Sequence, residues 1–87
     1  MITNNFHILI VKHVGATNAN GTRVKIISER FGESKIIPYS NEAGSGAPAL
    51  DTAEMWLRSK GCEIIGHGEG KGHYYVITNT FKSPKSL

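Results

Sequence analysis

One stretch of this chain, residues 48–60, carries a helical period, and the other patterned stretches read as strands. Pro48 suits the first turn of a helix, where its missing amide proton is not needed. Leu50, Ala53 and Leu57 recur at i, i+3 and i+7 with Trp56 beside them, which predicts one buried stripe. Asp51 and Glu54 near the start complement the helix dipole, and Arg58, Lys60 and a C-capping Gly61 mark the end. Ahead of the helix, Phe6–Val14, Thr22–Arg30 and Lys35–Tyr39 predict three strands, the last two joined by a hairpin turn over Phe31–Ser34. After it, Cys62–His67 and His73–Phe81 predict two more around a turn at Gly68–Gly72. The order β-β-β-α-β-β, with hairpins as most of its links, implies an α+β fold: a small antiparallel sheet of about five strands with one helix packed on a face. Pro38 has no amide proton, so its strand belongs at an edge or Pro38 at a strand end. The first strand is apolar on both sides at its middle, which predicts a central strand covered, at least partly, on both faces.

At 87 residues the chain is one domain, 1–87, with a thin core. Residues 1–5 and 82–87 are expected to fray. The longest apolar run, Ile8–Val11, is far too short to cross a membrane. Met1–Asn5 lacks the basic region of a signal peptide, and Cys62 is the one cysteine, which fits a cytoplasmic protein. The net charge of +3 is uneven. Residues 1–40 hold five basic side chains (Lys12, Arg23, Lys25, Arg30, Lys35) against Glu29 and Glu33, whereas basic and acidic residues cancel over 41–87. Such an excess is compatible with nucleic acid and equally with an ordinary soluble surface. Size excludes a large multi-step enzyme; a small enzyme, a nucleic-acid module and a protein-binding module remain.

The stretch Lys12-His-Val-Gly-Ala-Thr-Asn-Ala-Asn-Gly-Thr-Arg-Val-Lys25 resembles a family of small, uncharacterised proteins of bacterial phages, plasmids and integrated elements. The family motif is Lys, an aromatic, Gly-Pro-Thr-Asn, two residues, Gly, Ser or Thr, Arg, a β-branched residue and Lys. Lys12, Gly15, Thr17, Asn18, Gly21, Thr22, Arg23, Val24 and Lys25 match it. His13 stands where the aromatic is expected, Ala16 replaces Pro, and Asn20 replaces a frequent Arg. Ile37-Pro38-Tyr39 and the late hairpin ending in Tyr74-Tyr75-Val76-Ile77 also look like family blocks. The resemblance implies a mobile genetic element as the genomic setting and brings no activity with it.

The Gly15–Gly21 loop and its flanks form the foremost candidate site. Thr17 and Asn18 can bond the loop's own backbone, which makes the loop a structural clasp. Alternatively Lys12, Arg23 and Lys25 converge beside it and bind an anion such as a nucleic-acid phosphate; Arg23 and Lys25 share a strand face. The two readings are compatible. The glycines from Gly66 to Gly72 lead into a strand and not a helix N-terminus, so a hairpin tip explains them, with Lys71 able to touch a phosphate there. His67 and His73 could meet across that hairpin, near Cys62 and Glu69, but the tight spacing of a zinc site is missing. His7 and His13 share a strand face at a separation too large for one metal. No metal or cofactor is expected. Gly44-Ser45-Gly46 lacks the context of a nucleophile elbow, Cys62 lies at the negative end of the helix dipole, and Asp51 and Glu54 are dipole partners and not a catalytic pair. Trp56 is expected to plug the helix against the sheet. Tyr74 and Tyr75 point to opposite faces, so one is core and the other exposed.

Two functions follow as expectations. The first is a non-enzymatic nucleic-acid-binding module of a mobile element, with phosphates on Lys12, Arg23, Lys25 and Lys71 beside Thr17 and Asn18, further contacts from Arg30 and Lys35, and stacking by Tyr39, Tyr74 or Tyr75 on DNA or RNA. The second is an accessory protein of a phage or plasmid that covers a host protein, such as a defence complex, through a sheet edge at Lys35–Tyr39. The same edge could close a homodimer; otherwise the chain is a monomer. No constellation of acid, base and nucleophile supports an enzyme.

Overall fold

The computed structural model describes residues 6–15, 22–39 and 47–87. The chain forms strands β1 (His7–Val14), β2 (Arg23–Ser28) and β3 (Glu33–Pro38), helix α1 (Pro48–Ser59), and strands β4 (Ile64–Gly70) and β5 (His73–Thr78). The fold is α+β, in the expected order β-β-β-α-β-β. One sheet holds all five strands in the order β3-β2-β1-β5-β4, and every neighbouring pair is antiparallel. β1 is therefore the central strand, and β3, which carries Pro38, lies at an edge.

The helix covers one face only. Leu9 and Val11 from β1, Val24 and Ile26 from β2, Ile37 from β3 and Val76 from β5 meet Ala49, Leu50, Ala53 and Leu57 of α1 in a single buried cluster. The expected helix stripe is the one buried, and Trp56 packs half-buried at its margin. At the helix end the Gly61 N–H bonds the Arg58 carbonyl and the Cys62 N–H bonds the Leu57 carbonyl, both at 3.0 Å. Gly61 sits at φ +86, a left-handed conformation natural to glycine, so the pattern is a Schellman cap. Buried Cys62 and Leu57 supply its apolar contact.

Several boundaries differ from expectation. The β2–β3 turn falls on residues 29–32, because the strands pair as far as Ser28 opposite Glu33. β4 begins at Ile64, not Cys62, and runs on to Gly70, so Lys71 and Gly72 alone form the hairpin turn. β4 also carries a bulge between Ile64 and Gly66. The inserted residue reverses the alternation, so that Ile64 and His67 both face the helix while Gly66, Gly68 and Gly70 face away. Residues 82–87 close on a turn of 3-10 helix, Pro84–Ser86, with Ser83 and Pro84 buried and Leu87 against the core.

Buried polar groups on the helix side are paired. His7 lies stacked on Phe81 and edge-on to Phe31, with Nδ1 3.0 Å from the Thr80 carbonyl and Nε2 2.7 Å from the Ser28 hydroxyl. That carbonyl can only accept, so Nδ1 carries the proton, and in the neutral ring Nε2 accepts from Ser28. Glu54, expected to serve the helix dipole, is instead buried at mid-helix, hydrogen-bonded to His67 Nδ1 at 2.8 Å and ion-paired with Arg58 at 3.7 Å.

Candidate nucleic-acid interface

The expectation that β1 is covered on both faces fails among the described residues, where no element lies over the second face. Strand parity and pairing give that face its composition. β1 contributes Ile8, Ile10, Lys12 and Val14; β2 contributes Arg23, Lys25 and Ile27; β3 contributes Ser34, Ile36 and Pro38; β5 contributes His73, Tyr75 and Ile77. β4 adds Gly66, Gly68 and Gly70, opposite Ile77, Tyr75 and His73, with the exposed bulge residue Ile65 next to Gly66. None of these residues is acidic. Ile8 is 52% exposed and Ile36 46% exposed, values that an ordinary sandwich core would not leave.

The face has a basic end and an apolar end. Lys12 and Lys25 stand directly opposite each other across β1 and β2, and Arg23 lies two residues from Lys25 on the same side, opposite Val14. Cβ atoms in such a cross-strand pair are about 5 Å apart, and like charges there repel. Among the described residues no carboxylate pairs with any of the three, and the buried Nε of Arg23 has no hydrogen-bond partner. Lys71, at the tip of the β4–β5 hairpin, belongs to this end. Its φ of +53 makes it the one non-glycine residue with positive φ among those described, followed by Gly72 at +79. A two-residue turn with both φ positive favours Asn-Gly, so lysine is there at some cost.

The apolar end holds Ile8, Ile10, Tyr75 and Ile77 in register across β1 and β5. The Tyr75 ring also lies over Gly70, 3.6 Å from where a Cβ would stand, while Gly66 and Gly68 leave open space. A cavity of about 330 Å³ opens here, walled by Phe6, Ile8, Ile10 and Tyr75 with Glu29 and Arg30 beside them. Sequence reasoning missed this hollow, because it depends on which strand lies next to β1.

The structure thus brings Lys12, Arg23, Lys25 and Tyr75 to one face. Arg30 sits at the far end of the sheet from Lys12, with its guanidinium 4.9 Å from the Phe81 ring centre. Lys35 pairs with Ile26 and so has the parity of the helix face. Tyr39 and Tyr74 also belong to the helix side, where Tyr39 shares a 2.7 Å hydrogen bond with His13. Burial, followed by the neighbouring Tyr74, pushes the Tyr39 hydroxyl above its ordinary pKa. Thr17 and Asn18 lie outside the described residues. His67 and His73 fall on opposite faces, so they do not meet across the hairpin. The Cys62 thiol is raised above its ordinary pKa, chiefly by burial, with Thr80 and Lys82 opposing. No helix among the described residues is long and apolar enough to cross a membrane. No known protein family, curated protein or solved structure matches this chain.

Proposed function

We propose that this protein is a non-enzymatic module that binds nucleic acid through the open face of its sheet, with the phosphate backbone on the basic end. The observation that carries the reading is the uncompensated trio Lys12, Lys25 and Arg23 on a face without strand carboxylates. Two lysines held opposite each other cost stability, and an anion bridging them removes that cost. Arg23 adds a fork of donors suited to phosphate oxygens. Lys71 supplies a fourth charge at a strained position where asparagine would be easier, and strain kept at a surface turn fits a contact role. A mobile genetic element is the setting that the Lys12–Lys25 motif suggests, and the cytoplasm is the compartment.

The competing reading is a protein partner added at the free edge of β3. Pro38 and the exposed Lys35 both blunt that edge against strand pairing, so the sheet face is favoured.

Fluorescence anisotropy with labelled single-stranded and duplex DNA over a salt series tests the proposal. Four phosphate contacts give a slope of log K against log salt near −2.8 on single strands, and Lys12→Ala with Lys25→Ala reduces it to about −1.4. Binding with no salt dependence, or unchanged by the double substitution, refutes it.

A further inference from the structure

We infer that the nucleic acid taken by this face is single-stranded, with one unpaired base seated against Tyr75 in the hollow at the apolar end. This deepens the phosphate-binding reading and rests on it. The basic end alone would serve a duplex as well as a single strand, because phosphates carry no strand information. The rest of the face decides between them.

The apolar end carries what an unstacked base needs. Tyr75 presents a ring on the same face as Lys12 and Lys25, and Ile8, Ile10 and Ile77 surround it in register. The adjacent strand sets Gly66, Gly68 and Gly70 on this side, with open space above Gly66 and Gly68 and the exposed Ile65 beyond them at the bulge. Gly68 stands directly opposite Tyr75, so no β4 side chain lies immediately beside the ring. The hollow of about 330 Å³ has room for one base. At its margin Glu29 offers a carboxylate acceptor and Arg30 a fork of donors, the two groups that read the edge of an exposed base.

The spacing matches a strand lying along β1. Ile8 to Lys12 is four residues, about 13 Å of extended chain, so base pocket and phosphate site are neighbours on one backbone path. In a duplex the bases are turned inward and stacked, and none could enter the hollow without being flipped, which costs a few kcal/mol. The uncovered isoleucines fit the same account: an aromatic base shields them, whereas a sugar-phosphate rail does not.

Anisotropy with three probes of equal length separates the possibilities: an oligothymidylate, the abasic deoxyribose-phosphate oligomer, and a duplex. The expected result is that the oligothymidylate binds about tenfold tighter than the abasic strand, the share a stacked base supplies. Tyr75→Ala removes that advantage while leaving abasic binding unchanged, and Tyr75→Phe, which keeps the ring, retains it. Thermal melting of each variant confirms that the fold persists. Equal affinity for oligothymidylate and abasic strand overturns the base pocket and leaves phosphate binding standing, as does a duplex bound more tightly than either. No binding of any probe at low salt overturns both readings.

Discussion

Replacing Lys25 with glutamate should stabilise the fold and abolish nucleic-acid binding together. Lys25 faces Lys12 across the β1–β2 ladder, and no carboxylate among the described residues offsets either charge. Flexible lysine tips relax outward to about 7 Å, where two unit charges in a water-like dielectric repel by about 0.6 kcal/mol. Glutamate turns that repulsion into an attraction of similar size, a swing of about 1.2 kcal/mol at low ionic strength. For a domain of this size 1 kcal/mol shifts the melting temperature by roughly 4–8 °C. At physiological salt the Debye length of about 8 Å reduces the gain to about 0.5 kcal/mol, or roughly 2–4 °C. Lys25→Gln, which removes the repulsion alone, should give half the gain. The assay is thermal unfolding by circular dichroism at low, physiological and molar salt, with anisotropy run alongside. A gain that persists in molar salt would trace to propensity or packing and refute the electrostatic argument. No gain at low salt would mean that the two lysines do not face each other, and the register-based site would fall with it.

Three further outcomes are expected. Lys71→Asn should stabilise the hairpin by about 0.5–1 kcal/mol, because asparagine accepts positive φ more readily, and should weaken nucleic-acid binding; a lower urea midpoint would contradict the strain assigned to Lys71. His7→Ala should cost about 2–3 kcal/mol, since it empties a buried aromatic stack and strands the Thr80 carbonyl and the Ser28 hydroxyl; a loss under 0.5 kcal/mol in chemical denaturation would show that the network contributes little. Stability should decline in alkali: Cys62 and Tyr39 are both raised in the folded state, so their contribution is complete below the ordinary thiol and phenol ranges and is lost as pH rises through them. Cys62→Ser should remove the thiol's share of that alkaline slope in a pH series of denaturant melts.

The helix and the strand count were legible because each rests on a local rule. Leu50, Ala53 and Leu57 sit at helical spacing, Gly61 caps the end, and Pro38 bars its strand from the sheet interior. What escaped is what depends on neighbours. Alternation shows that Ile8 and Leu9 point opposite ways, but not which of them meets the helix; the side chain that α1 buries is Leu9. The bulge at Ile65 has no local signature, yet it decides that glycines and not His67 flank Tyr75. Glu54 read as a dipole partner because it lies near the predicted helix start, whereas its burial against β4 is tertiary. Arg23 and Lys25 could be placed on one face by parity, and Lys12 joined them only once the β1–β2 register was known.

The two faces of this sheet obey different rules, and the difference is itself an argument. On the helix side the residues facing α1 form a buried apolar cluster, His7 and Glu54 have partners, and the helix ends in a satisfied cap, although Phe31 and Phe81 beside His7 stay partly exposed. On the open side isoleucines are left to solvent, lysines oppose each other, a strand sets three glycines at alternate positions, and at its rim a lysine occupies a position suited to asparagine. Each departure costs stability, and a domain this small has little to spare. Chance would scatter such costs over the molecule. Their concentration on one face and its adjoining hairpin tip is the pattern expected where local consistency yields to a contact surface. A ligand that stabilises this face must therefore offset all of these costs: negative charge for the lysines, a flat apolar group for the isoleucines and Tyr75, and a profile low enough to lie over the glycine strip. A single-stranded nucleic acid supplies the three on one chain, whereas a duplex supplies only the charge.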